Sequence, residues 1–204
     1  MKIKTRIENK QFGLKTLFVF TTIFAVCAVF ATFEWRMSRF NITAANIIID
    51  AGGHAVLECD APDWMCQFIP FQSFQMRVTE AEFQKGYSVP DFQMLGRLTN
   101  LRALSLNGYT FSKNQFQEIG SLNQLKYLDL SKSNLSDETL SYLSTLSNLV
   151  YLHISDTRIT DDSINQFNKF PSLKRVFASE CRLSTAGKFQ INKIMALRRG
   201  ETLK

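Results

Sequence analysis

Only four cysteines and two histidines occur in the 204 residues of this sequence. Cys27, Cys59, Cys66 and Cys181 form no C-x-x-C pair and no Cys/His cluster, so the chain offers no zinc-ligand set. Glycine is scarce too. Gly52-Gly53 leads into neither a dinucleotide fingerprint nor a Lys-Ser/Thr phosphate loop. The expectation is therefore no cofactor and no metal. A net positive charge is missing from the middle of the chain. Residues 1–16 carry Lys2, Lys4, Arg6, Lys10 and Lys15 against Glu8, and residues 173–204 carry eight basic residues against Glu180 and Glu201. The net charge of +6 thus belongs to the two ends, and the stretch between them is net acidic. A basic nucleic-acid groove is not expected from this distribution.

What the sequence does have is a repeat. Leu146 to Asn168 reads LSNLVYLHISDTRITDDSINQFN. A shift of 24 residues maps Leu98, Leu122, Leu146 and Phe170 onto one another. It also aligns Leu101, Leu125, Leu149 and Leu173, then Leu104, Leu128, Leu152 and Val176, then Leu106, Leu130, Ile154 and Ala178. Two further columns are Phe111, Leu135, Ile159, Leu183 and Ser112, Ser136, Thr160, Ser184. Self-similarity at such a period signals a stacked array.

Each unit has two halves. Leu128 with Leu130, and Leu152 with Ile154, alternate with period two and predict a short strand with one buried face. Leu140 with Leu143, and Ile164 with Phe167, have helical spacing. Ser112 with Gln115 fits a capping box, and Ser136-Asp137 and Thr160-Asp161 set an N-cap and an acidic first turn. Asp161-Asp162 reads as cap chemistry rather than a metal site. One strand–helix unit buries its apolar face only against a neighbour.

These residues resemble the leucine-rich-repeat family, in its 24-residue form with an x-T-x-[IV]-T-D helix start; Asp156-Thr157-Arg158-Ile159-Thr160-Asp161 is the clearest copy. The ladder position, Asn in the commonest subtype, holds Tyr109, Ser133, Thr157 and Cys181 here, which points to the Thr/Cys-containing subtype. The resemblance covers roughly residues 74–197. It implies an α/β leucine-rich-repeat solenoid, with a parallel sheet on the concave face and helices on the convex face.

Leu17 to Phe33 is a run without charge, closed by Glu34, Trp35 and Arg36. It approaches the roughly 20 residues that span a bilayer, and its basic flank predicts a cytoplasmic N-terminus. Two readings stand: a transmembrane anchor over 17–35 with the repeats outside the cytoplasm, or a signal peptide cleaved near Val29-Phe30-Ala31, which would leave a secreted protein. Residues 36–52 predict a short helix with Ala44, Ile47 and Ile48 as its buried stripe. His54–Cys59 predicts a strand, Asp60–Asp63 a turn, Trp64–Phe74 a helix split by Pro70, and Val78–Phe83 a first degenerate strand. Tyr87, Phe92 and Leu95 form a partial repeat. Bacterial membrane-anchored leucine-rich-repeat proteins look similar over the N-terminal part, and that resemblance implies an N-terminal α/β cap. The expected organisation is a basic cytoplasmic tail 1–16, an anchor 17–35, a capping region 36–83, the repeats 84–197 and a disordered tail 198–204. Cys59 and Cys66 are either bridged or two free thiols, depending on the compartment. Asn41-Ile42-Thr43 and Asn134-Leu135-Ser136 match a glycosylation pattern.

Residues flanking the buried leucines face the concave surface. Three rows are expected: Ala103, Tyr127, Tyr151, Arg175; Ser105, Asp129, His153, Phe177; and Asn107, Ser131, Ser155, Ser179. Neighbouring strands about 4.8 Å apart would let Tyr127 stack on Tyr151 with Arg175 beside them. The partner-binding set is therefore Tyr127, Tyr151, Arg175, Asp129, His153 and Phe177. It is either a hot spot of the kind rich in Tyr and Arg or a solvated face with cross-strand pairing. Ser105, Asp129 and His153 do not make a catalytic triad, because Ser and His would lie two strand spacings, about 9–10 Å, apart, where a nucleophile needs its base at about 3 Å. An Asp129–His153 hydrogen bond is expected instead. The functional expectation is non-enzymatic: a membrane-tethered module that binds a protein or peptide, with no nucleic acid and no small-molecule substrate. The alternatives are a structural cell-envelope protein, an enzyme using residues 40–95, and a soluble substrate receptor of a ubiquitin ligase, which shares the repeat subtype.

Overall fold

A computed structural model describes residues 14–59, 76–83, 85–86 and 91–201; of these, the side chains of 14–20, 27, 30–35, 37, 59 and 76 fall outside the description. The predicted turn at 60–63, the helix at 64–74, Tyr87 and the Cys59–Cys66 question therefore lie outside the described residues.

Helix α1 runs from Leu14 to Asp50, 37 residues without a break. The sequence reading divided this stretch into an anchor and a separate helix from residue 36. The helix continues because nothing between Glu34 and Ser38 is a Gly or Pro that would stop it. Its C-terminal half is the half that packs. Ala44, Ala45 and Ile48 are buried against β1 (His54–Cys59) and β2 (Met76–Glu82), while Ile47, expected in the buried stripe, is exposed and Ala45 takes its place. Asn41 is buried, and its Oδ1 accepts the Val78 N–H at 3.3 Å. Gly52, at φ 71°, ends the helix in the left-handed conformation. Among the described residues, no helix is long and apolar enough to cross a membrane. Most side chains of 17–35 are outside that set. Those described, Ile23, Phe24, Val26 and Val29, are exposed.

The six described strands form one sheet in the order β1-β2-β3-β4-β5-β6. β1 and β2 pair antiparallel, and every later pair is parallel. β3 (Ala103–Ser105), β4 (Tyr127–Asp129), β5 (Tyr151–His153) and β6 (Arg175–Phe177) each contribute three residues, the middle one pointing inward. Leu104, Leu128 and Leu152 are fully buried, as are Leu101, Leu125, Leu149 and Leu173 in the adjoining column. Each such leucine contributes about 1.5–3 kcal/mol over an exposed one. The last repeat departs from this pattern. Val176 and Ala178 are only partly buried, because among the described residues no further strand covers them.

The second half of each unit is helical: α2 (Phe92–Arg97), α3 (Lys113–Gly120), α4 (Asp137–Leu143), a 3-10 helix Asp161–Lys169, and α5 (Thr185–Arg199). Ser112 and Gln115 form the predicted capping box, with Ser112 N–H donating to Gln115 Oε1 at 2.9 Å. The segment at 161–169 is wound as a 3-10 helix rather than an α-helix. Its Asp, Ser and Asn residues are weak helix formers, and the Ser163 hydroxyl binds back to Thr160 O at 2.8 Å. Between strand and helix the chain turns through Gly108, Lys132, Asp156 and Glu180, all at φ between 56° and 79°. These left-handed positions recur every 24 residues, three of them without the glycine that would announce them. The interstrand ladder fixes them: the N–H groups of Gly108, Lys132 and Asp156 donate to Ser131, Ser155 and Ser179 carbonyls at 2.8 Å. At the ladder position Tyr109, Ser133 and Thr157 are buried. The Thr157 hydroxyl and the Cys181 thiol both donate to Ile154 O, so the hydroxyl and thiol satisfy a carbonyl of the turn.

Arg198 and Arg199, expected in the tail, are helical instead. Arg198 and Arg199 complete α5, and Arg198 Nη2 donates to Phe167 O and Asn168 O at 3.1 Å while its Nη1 donates to Phe170 O and Leu173 O. On α5, Ile191 and Ile194 pack inward while Phe189 is exposed. Gly187 is buried on this helix, and a Cβ there would collide with the Asp161 carboxylate.

Candidate functional site on the open sheet face

The strand register fixes which side chains share the open face. Tyr127 pairs with Tyr151 and Tyr151 with Arg175, while Asp129 pairs with His153 and His153 with Phe177, as the rows predicted. The rows are longer than expected at the N-terminal end. Glu80 pairs with Ala103 and Glu82 with Ser105. That spacing is 23 residues, so a strict 24-residue shift places Thr79 where Glu80 stands and misses both glutamates. Antiparallel pairing then brings His54 opposite Glu82. The outcome is a hollow of about 280 Å³ lined by His54, Glu80, Glu82, Ser105, Tyr127 and Asp129. The Tyr127 hydroxyl is pushed up by burial and then by the charges of Asp129 and Glu82.

One aromatic contact is diagonal and the other lies directly across the second row. Tyr127 meets His153 at a ring distance of 5.3 Å, and His153 meets Phe177 at 4.0 Å. The expected Tyr127–Tyr151 stack is not formed among the described residues. Strand twist brings a diagonal neighbour within reach of a long side chain as readily as the one directly opposite. Tyr151 and Phe177 are each 39 % exposed, large apolar groups facing solvent on a rigid ladder. Arg175 stands at the end of the first row. Its charge reaches Glu201, whose carboxyl is held below the usual range first by the hydrogen bond from Arg199 and, as a lesser cause, by Arg175.

Asp129 does not bond to His153. Its Oδ1 accepts the Ser131 N–H at 2.8 Å, turning the carboxylate back onto its own strand end. Ser105, Asp129 and His153 occupy three successive strands, which keeps serine and histidine two spacings apart. In the third row, Ser155 Oγ accepts the Ser179 N–H at 3.2 Å and Ser131 is buried, so these side chains serve the ladder. Both sequons are tied down as well: Asn41 is buried, and the Asn134 amide accepts from Phe111 N–H and donates to Phe111 O, both at 2.8 Å. Among the described residues no group of three His, Cys, Asp or Glu side chains is placed to hold a metal ion.

No protein-family model matches the chain, and no curated protein matches it. Solved structures similar to it include an internalin, InlF, from Listeria monocytogenes, 15% identical at a TM-score of 0.36, over 52% of this chain and 37% of that one. This chain thus spans little more than a third of that internalin. Another is the leucine-rich-repeat ectodomain of the receptor kinase SOBIR1 from Arabidopsis thaliana, 19% identical at a TM-score of 0.41, over 72% of this chain and 97% of that one.

Proposed function

We propose that the chain is a membrane-tethered binding module whose open, concave sheet face takes a protein or peptide. The carrying observation is the pair of half-exposed rings, Tyr151 and Phe177, flanking Arg175 on a rigid parallel ladder. Aromatic and Arg side chains held in place by the fold lose little freedom on binding and are the usual anchors of an interface. The hollow at Glu80, Glu82 and Asp129 lies at the other end of the face. The partner chemistry that fits is an extended segment with apolar side chains over Tyr151 and Phe177 and a cationic group over the glutamates.

Tethering is assigned to the N-terminal half of α1. Exposed Ile23, Phe24, Val26 and Val29 lie within the charge-free run 17–33, next to a basic segment. In this reading the N-terminus is cytoplasmic and the repeats are outside.

A photo-crosslinking residue at position 151 in intact cells tests the face, with position 166 on the helical side as control. A saturable adduct at 151, lost when Tyr127, Arg175 and Phe177 are changed to Ala, is expected. Equal labelling at both positions would remove the assignment. Protease accessibility in spheroplasts, with the mature N-terminus read by mass spectrometry, tests the topology. A mature end near Thr32 would mean a secreted binder, and a protected repeat domain a cytoplasmic one.

A further inference from the structure

We propose that the free edge of β6 is a homodimer surface, on which β6 of a second copy adds as an antiparallel strand about a twofold axis through Phe177. The ladder between repeats follows a fixed rule. Leu106 and Gly108 N–H donate to Asp129 and Ser131 carbonyls, Leu130 and Lys132 to His153 and Ser155, and Ile154 and Asp156 to Phe177 and Ser179. The next donors in this series are Ala178 and Glu180 N–H, and among the described residues they have no partner. The acceptor series Arg102, Lys126, Val150 ends differently: Lys174 O accepts from Arg199 Nη1 at 2.9 Å. The C-terminal helix therefore closes one group of the edge and leaves the rest open. A hollow of about 330 Å³ lies there, lined among others by Val176, Ala178, Glu180, Leu183 and Ile191. The edge carries no proline to blunt it.

The strand is complementary to itself in one register. Arg175 and Phe177 turn their backbone groups toward β5, so those of Val176 and Ala178 face outward. With Phe177 opposite Phe177 of the second copy, Val176 lies opposite Ala178 and the two exchange both hydrogen bonds. Lys174 then faces Glu180 of the second copy, and the twofold axis repeats this pair at the other end. A slip of two residues in either direction separates these charges. Such an isologous contact closes after two copies and needs no foreign strand. Phe177, 39 % exposed, would stand beside Phe177 of the second copy on the same open face.

The test uses charge exchange in the full chain, held in detergent, with mass read by analytical ultracentrifugation over a concentration series. The wild type is expected to dimerise reversibly. Lys174→Glu and Glu180→Lys should each weaken the dimer by about tenfold or more, because each sets like charges opposite one another. An equal mixture of the two variants should restore it, since every facing pair is then opposite in sign. Glu180→Lys keeps the turn, because Lys132 already holds the same repeat position at φ 58°. Ala178→Pro removes a donor that has no intramolecular partner and should give a monomer; Glu180→Lys, which leaves the backbone donors in place, covers the case in which the proline disturbs folding. Phe177→Cys should crosslink to itself above the wild-type background. A monomeric wild type overturns the proposal. So does a dimer indifferent to the charge variants, which association through α1 would give, or singles that do not recover on mixing. A monomer that instead captures an extended peptide at this edge would also overturn it, since the occupant would not be a second copy.

Discussion

Asp161 of one repeat holds Ser184 of the next by two hydrogen bonds, from the serine N–H at 2.9 Å and from its hydroxyl at 2.5 Å. The same reach of 23 residues joins Asp137 to Thr160, at 2.9 and 2.6 Å. Each hydroxyl in turn accepts a helix N–H, Gly187 for Ser184 and Asp162 for Thr160. The acidic residue that follows an N-cap thus does more than complement its own helix. It fixes the N-cap of the following repeat, so helix start and repeat stacking are one hydrogen-bonded unit.

This relay makes a prediction about pH. The Ser184 hydroxyl, and then its N–H, hold the Asp161 carboxyl below its ordinary value of 3.8. A lowered folded value means that ionised Asp161 contributes stability above 3.8, which is lost as pH falls through the folded value. Asp161→Asn should be less stable than wild type near neutral pH, and the gap should shrink in acid below 3.8. Urea unfolding at the two pH values measures it, and a gap independent of pH would refute the coupling.

Two glycines should separate by what surrounds them. A Cβ on Gly120 would collide with the Tyr142 carbonyl of the next helix, whereas one on Gly96 meets only Leu122 Cδ2 at 3.7 Å. Gly120→Ala should destabilise by about 1–3 kcal/mol. Gly96→Ala, in a helix with room to spare, should gain up to about 1 kcal/mol. Thermal unfolding of the pair checks both signs.

Arg198 is the side chain that ends the stack. Its guanidinium serves the carbonyls of Phe167, Asn168, Phe170 and Leu173. Arg198→Met, which keeps the stem but not the donors, should lose about 2 kcal/mol, within the range for hydrogen bonds to a charged group. Arg198→Lys should recover little of this, because a point charge cannot reproduce the planar fork. Chemical denaturation of the two variants distinguishes packing from hydrogen bonding.

The repeats were legible in the sequence because one periodicity served every level. The columns that contain Leu104, Leu128 and Leu152 became the inward positions of β3, β4 and β5, and Ser112, Ser136, Thr160 and Ser184 became N-caps. Where the period slipped, legibility stopped. Glu80 and Glu82 join the open face only through a 23-residue offset that the column alignment skips. The diagonal Tyr127–His153 contact depends on strand twist and rotamer, which a list of row members does not contain, whereas His153–Phe177 is a pair within the expected second row. Arg198 gave no local signal at all, since its partners lie 25–31 residues upstream.

The left-handed turns were hidden for a related reason, and they yield a further prediction. Lys132 stands at φ 58° where the preceding repeat has Gly108 at 79°. A non-glycine there carries strain of about 1–2 kcal/mol, while glycine costs about 0.5–1 kcal/mol in chain entropy. Lys132→Gly should therefore leave stability unchanged or slightly raise it, unlike a glycine placed in a strand. A fall of more than about 1 kcal/mol in unfolding free energy would show that the lysine side chain, not the backbone, holds the turn.

The unbroken course of α1 has a mechanical meaning. A helix of 37 residues reaches about 56 Å at 1.5 Å per residue. The C-terminal part is wedged beneath β1 and β2 by Ala44, Ala45 and Ile48, and Ile23, Phe24, Val26 and Val29 in the other half are exposed. No swivel joint separates them. Whatever grips the first turns of this rod thereby sets the bearing of the whole ladder, so the direction in which Tyr151 and Phe177 look is decided at the far end of the molecule.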